Sequence, residues 1–177
     1  MNYCSHCGAP TTARIPLGDH LPRRVCDRCG IIHYQNPRLI VGALPVWQDQ
    51  ILLCRRAIEP QRNKWTLPSG FMENGETVAE AALRETREEA NASIELDEIY
   101  TMISVPQINQ VHIVYRAVLR DLNFSSGEES LEVRLFGEHE IPWNDIAFRS
   151  IALTLRHYFE DRRAGSFRFH SGDLPPL

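Results

Sequence analysis

The stretch from Gly70 to Ala92, GFMENGETVAEAALRETREEANA, constrains this chain more than any other. At its centre, Arg84-Glu85-Thr86-Arg87-Glu88-Glu89 places three carboxylates at i, i+3 and i+4, with an arginine directly before the first. The spacing predicts a helix over Thr77 to Ala90. On its wheel Ala79, Ala82, Leu83, Thr86 and Ala90 form a narrow stripe suited to packing on a sheet. Glu85, Glu88 and Glu89 share a second flank, and Glu80, Arg84 and Arg87 a third. Three like charges on one flank weaken an isolated helix. A divalent cation among them reverses the sign, because Mg²⁺ and Mn²⁺ prefer oxygen ligands. A solvated face is the ordinary reading of such a run, but the residues before it argue otherwise. Trp65-Thr66-Leu67-Pro68 reads as a short strand, Gly70 can present its carbonyl where a side chain would interfere, and Asn74-Gly75 turns the chain into the helix. The segment is built to hold a metal.

Four of the five cysteines form Cys4-x2-Cys7 and Cys26-x2-Cys29. Paired knuckles at this spacing indicate a closed tetrahedral Zn²⁺ site, with no open position for water. Two disulfides are the alternative, and His6 is a substitute ligand within the first knuckle. Some thirty residues bury too little apolar surface to fold alone, so the metal supplies the folding energy. The expected domains are a zinc ribbon over 1–36 and a larger domain over 37–177. Cys54, in an apolar run, reads as a small buried residue.

In the larger domain, Arg38–Trp47 and Ile51–Arg55 read as a hairpin, and Ser93–Glu98, Tyr100–Val105, Val111–Arg120 and Glu132–Gly137 as further strands. A second helix is expected from Ser150 to Arg163, stopped by Gly165. Strands between two amphipathic helices give an α/β fold, an α/β/α sandwich around a mixed sheet. A formal net charge of −4 supplies no basic field and argues against nucleic acid. No run has the length of a transmembrane helix and the N-terminus has no signal-peptide core, so a soluble cytoplasmic protein is expected. Arg55 and Arg56, at a strand end beside the motif loop, are the expected diphosphate contacts, with Trp65 added as a substrate contact. Phe71, Tyr100, Tyr115, Phe124 and Phe136 are candidates to stack on a base, although each singly reads as core.

Taken as a whole, Gly70, Glu76, Arg84, Glu85, Glu88 and Glu89 fall on the pattern Gly-x5-Glu-x7-Arg-Glu-U-x-Glu-Glu-x-Gly-U (U a bulky aliphatic). The segment therefore resembles the signature of the Nudix hydrolases. Thr86, Asn91 and Ala92 depart from it at uncharged positions only. The resemblance implies a Nudix sandwich and a pyrophosphatase. It implies Glu85, Glu88 and Glu89 as Mg²⁺ or Mn²⁺ ligands joined by the Gly70 carbonyl, with Arg84 orienting them and Glu76 anchoring Arg84. A further acid commonly comes from a loop as base or ligand. Glu128, Glu129 and Glu132 are the candidates, and Glu129 is favoured.

Zinc-ribbon relatives that cleave NADH carry a Ser-Gln-Pro-Trp-Pro-Phe-Pro array after the motif. Leu96 to Pro106 contains none, which removes support for a nicotinamide substrate. The chain is more similar to the plant chloroplast Nudix enzymes that cleave FAD and ADP-ribose. The similarity rests on Arg28-Cys29-Gly30, Tyr34-Gln35-Asn36-Pro37, Trp65-Thr66-Leu67-Pro68, Glu129-Ser130-Leu131-Glu132, Arg134-Leu135-Phe136, Phe159-Glu160-Asp161 and Phe169-His170. It implies hydrolysis of FAD to FMN and AMP, or of ADP-ribose to AMP and ribose 5-phosphate, by a homodimer. A nucleic-acid or protein binding module on the same fold, and a nucleoside triphosphate hydrolase, remain as alternatives.

Overall fold

A computed structural model describes residues 1–176, which form two compact units, Met1–Pro37 and the chain from Arg38 onward. In the first unit, strands β1 (Thr11–Arg14), β2 (Arg23–Cys26) and β3 (Ile32–His33) pair antiparallel in the order β1-β2-β3. Little apolar surface is buried here: Cys4, Val25 and Cys26 are its buried hydrophobic residues.

The second unit runs β4 (Arg38–Trp47), β5 (Gln50–Arg56), β6 (Trp65–Thr66), β7 (Ser69–Phe71), α1 (Val78–Ala90), β8 (Ile94–Val105), β9 (Gln110–Leu119), β10 (Ser130–Phe136), α2 (Arg149–Ala164) and β11 (His170–Asp173). The sheet order is β10-β5-β4-β9-β8-β11, with β6 on β5 and β7 on β4. β4 with β9 and β8 with β11 are parallel and the other pairs antiparallel, so the sheet is mixed.

The run Ile51-Leu52-Leu53-Cys54 is wholly buried because both sheet faces are covered. Ile51 and Leu53 join Leu44, Val114 and the α2 residues Ile151, Leu155, Tyr158 and Phe159. Leu52 and Cys54 point the other way and pack with Ala43, Ala117 and Ala90 of α1. Alternate side chains thus feed two cores, which is the expected α/β/α sandwich. The Cys54 thiol is pushed far up by burial and behaves as a small apolar side chain.

Three expectations are corrected. The buried face of α1 is Ala81, Ala82, Glu85, Thr86, Glu89 and Ala90, rotated from the predicted stripe, and Leu83 is 36% exposed. The helix turns two glutamates inward, and an alanine takes the place expected for the leucine. Residues 94–105 form one strand, with register shifts around Ile99 where two strands were expected. β11 was not anticipated, because His170-Ser171-Gly172-Asp173 has no apolar alternation.

Candidate active site

Helix α1 is fixed at both ends. Thr77 caps the N-terminus and forms a capping box with Glu80, while Asn91 closes the C-terminus in the left-handed conformation. The Asn91 side-chain amide donates to the carbonyls of Ser125 and Ser126, and the amides of Ser125 and Gly127 donate to Ala90 and Glu89. A Cβ at residue 127 would collide with the Glu88 carbonyl. Glycine there lets the loop lie against the end of α1, and the acids that follow it, Glu128 and Glu129, line the cleft.

The motif carboxylates and this loop line one cleft of ≈ 930 Å³. Its lining holds seven glutamates against three arginines, Arg38, Arg56 and Arg84. Such an excess of negative charge repels an anionic diphosphate unless cations enter with it. Glu85 and Glu89 are buried. Burial pushes Glu89 up to about 8, opposed by a hydrogen bond from the Ser69 amide (3.2 Å) and by the Arg56 charge, with Glu85 and Glu129 adding to the rise. Burial also raises Glu85, against Arg84, with Glu88 and Glu129 adding to the rise. Glu129 lines the same cleft as both buried acids. A Cβ at residue 70 would strike the Glu85 carboxylate, so glycine lets that carboxylate lie against β7. Glu88 is largely exposed.

Arg84 lies between these groups and not on a separate flank, as its helical position suggested. Its Nε and Nη2 hold both oxygens of Glu76 (3.0 and 2.7 Å), and Nη1 meets Glu85 (2.8 Å) and Glu88 (3.1 Å). The Arg84 guanidinium, with the Glu73 amide, holds Glu76 down at about 2. No three carboxylates among the described residues bring ligand atoms within 4.8 Å of one another, as the four cysteines do. A cation would have to compete with Arg84 for Glu85 and Glu88. Oxygen donors, burial and uncompensated charge all fit Mg²⁺ or Mn²⁺.

Several expected contacts lie elsewhere. Arg56 lines the cleft, but Arg55 does not: successive strand residues face opposite ways, and Arg55 pairs with Glu132 at 3.0 Å. Glu132 is thereby drawn off as well. Trp65 packs edge-on against Phe136 in the α2-side core. Of the five aromatics, Phe71 alone lines the cleft, 47% exposed with the Arg38 guanidinium 4.6 Å from its ring centre. Arg38, Gln110, His112 and Phe148 also line it and were not singled out from sequence. The i, i+2 spacing of Arg38 with Ile40 and of Gln110 with His112 was the available signal, readable only once the β4–β9 register is known.

In the other unit the four cysteine sulfurs converge. Sγ–Sγ separations are 3.7 Å (Cys4–Cys29), 3.4 Å (Cys7–Cys26) and 3.6 Å (Cys7–Cys29). These are too long for disulfides and close to the ~3.8 Å edge of a Zn–S₄ tetrahedron with ~2.3 Å bonds. Amides of Arg28 and Cys29 donate to Cys26 Sγ and favour its thiolate, which is lowered to about 6. His6 is outside the cluster.

Residues 36–155 match the NUDIX domain family and residues 2–35 the Nudix N-terminal family. The chain belongs to the Nudix family. As a Nudix hydrolase it uses divalent cations such as Mg²⁺ or Mn²⁺, and its ribbon holds structural Zn²⁺. A solved Nudix hydrolase from Nitrosomonas europaea is 57% identical, with a TM-score of 0.95 over 98% of this chain and 99% of that one. An ADP-ribose pyrophosphatase from Methanocaldococcus jannaschii is 27% identical over 62% of this chain and 67% of its own length. The NAD-capped RNA hydrolase NudC from Stutzerimonas stutzeri is 35% identical over 52% of this chain, which spans only 32% of that enzyme. Among the described residues, no helix is long and apolar enough to cross a membrane.

Removing the zinc should unfold residues 1–37, since apparent binding energies of roughly 10–16 kcal/mol are folding energies in such small units. Limited proteolysis with and without a zinc chelator checks this. A ribbon still resistant after complete metal loss would contradict it.

Proposed function

We propose that this Nudix enzyme hydrolyses the diphosphate of ADP-ribose, FAD or both, releasing AMP with ribose 5-phosphate or FMN. The observation that carries the reading is one cleft that joins the motif carboxylates to the exposed Phe71 ring backed by Arg38. A cleft of ≈ 930 Å³ accommodates a dinucleotide-sized ligand. The ADP-ribose pyrophosphatase among its relatives and the chain-long resemblance to FAD- and ADP-ribose-cleaving enzymes support the same substrates.

In this reading Glu85, Glu88 and Glu89, beside Gly70, hold the catalytic cation. A bound Mg²⁺ or Mn²⁺ offsets phosphate charge and lowers the pKa of a coordinated water. Arg84, clamped by Glu76, holds Glu85 and Glu88 in place. Arg56 neutralises diphosphate oxygens on the floor of the cleft. Glu129 accepts the proton of the attacking water, a role supported by its place in the cleft lining with Glu85 and Glu89.

A panel of ADP-ribose, FAD, NADH and nucleoside triphosphates with Mg²⁺, scored by phosphate-containing products, tests the reading. The largest kcat/KM should fall on ADP-ribose or FAD. A larger value on triphosphates or NADH would overturn it.

A further inference from the structure

One polar chain runs through the cleft floor to a buried helix end and has no part in the chemistry above. His112 is buried, with Nδ1 2.8 Å from Ser150 Oγ and Nε2 3.0 Å from Gln110 Oε1. A carboxamide oxygen only accepts, so His112 Nε2 carries the hydrogen. Burial pushes the His112 ring toward its neutral form, which leaves Nδ1 as an acceptor and Ser150 as its donor. With Gln110 Oε1 facing the ring, the chain runs from Ser150 O–H to Nδ1 and from Nε2–H to Gln110 Oε1. Its free end is the Gln110 NH₂ group. Gln110 is the register partner of Arg38 across the parallel β4–β9 pair, and His112 is that of Ile40, whose other partner is Phe71. Gln110, Arg38 and Phe71 all line the cleft. An amide donor, a cation and an exposed ring on one floor suit a flat heteroaromatic group with an in-plane acceptor.

We propose that Gln110 is a specificity-determining residue that donates to a ring nitrogen or carbonyl of the substrate's base stacked on Phe71, with His112 and Ser150 as positioning residues. With Oε1 on the His112 ring, Ser150 and His112 hold that end of the carboxamide and leave its NH₂ group to the ligand. Without them the amide can rotate and offer its oxygen, which repels the same acceptor. The inference rests on the nucleotide diphosphate reading and deepens it.

Calorimetric binding of AMP and of ribose 5-phosphate, which lacks a base, tests it without requiring turnover. Gln110→Ala should weaken AMP about 3- to 10-fold, the scale of one neutral hydrogen bond, and leave ribose 5-phosphate unchanged. The KM for ADP-ribose should rise by the same factor with kcat within about twofold. Ser150→Ala should weaken AMP in the wild-type background and add nothing to Gln110→Ala, as a shared pathway requires. Unchanged AMP affinity in Gln110→Ala would overturn the proposal. So would a parallel loss for ribose 5-phosphate, additive effects of the two substitutions, or a wild-type protein that does not bind AMP. Base-dependent AMP binding without hydrolysis of any diphosphate would retain the subsite and overturn the substrate reading instead.

Discussion

Glu88→Gln should lower turnover at saturating Mg²⁺ by at least roughly 10²-fold, the scale of removing one electrostatic or general-base contribution. The melting temperature should stay within about 2 °C of wild type. The two halves follow from different features of the same side chain. Glu88 is 59% exposed and its recorded partner is the Arg84 Nη1 at 3.1 Å. An exposed i, i+4 pair of this kind contributes only about 0.3–0.5 kcal/mol, so folding loses little. Glutamine keeps the shape and removes the charge. Of the three motif acids, Glu88 is the exposed one, whereas Glu85 and Glu89 are buried against β7, so their substitution would mix folding with chemistry. Kinetics with Mg²⁺ titrated to saturation, alongside a thermal melt, separate the terms. Wild-type turnover from a folded Glu88→Gln protein would remove this residue from the metal site.

The parts of this protein that were legible in its sequence are those written in local spacing. The i, i+3, i+4 carboxylates lie within little more than one helical turn, and each Cys-x2-Cys knuckle within four residues, so spacing alone was enough to single them out. The predicted helix face differs from the observed one because apolarity alone set the wheel, and Glu85 and Glu89 are buried against that rule. Arg55 and Arg56 show a second limit. A strand sends neighbours to opposite faces, and which of the two meets the cleft depends on the pairing of β5 with β4, β6 and β10. Glu132 fell with Arg55 for the same reason, while Glu129 reached the cleft through a turn set by Gly127. The floor of Arg38, Phe71, Gln110 and His112 is assembled by pairings of β4 with β7 and β9, across 31 and 72 residues for Ile40 with Phe71 and Ile40 with His112. Nothing local announces it.

Asp161→Ala should destabilise the larger unit by about 3–5 kcal/mol, the cost of breaking a buried charged network by removing one partner. Asp161 is 5% exposed, and its Oδ2 accepts from Tyr100 Oη (2.9 Å), His170 Nε2 (2.8 Å) and the Arg168 amide (3.1 Å). These bonds tie α2 to β8 and to the start of β11, which otherwise adds to the sheet through four residue pairs. Removing the carboxylate leaves the Tyr100 hydroxyl without its acceptor in a buried site. Burial pushes the Asp161 carboxyl up, but His170, the Arg168 amide and Tyr100 together hold it below the ordinary carboxylate range. A group with a depressed folded-state pKa stabilises above its unfolded value, here 3.8, and loses that contribution as pH falls through the folded one. The stability gap between wild type and Asp161→Asn should therefore be full at pH 6 and close below about pH 4. Denaturant melts of the two proteins across that range measure it. A gap that stays constant down to pH 3 would show that the charge of Asp161 contributes nothing and that hydrogen-bond geometry alone holds the C-terminal strand.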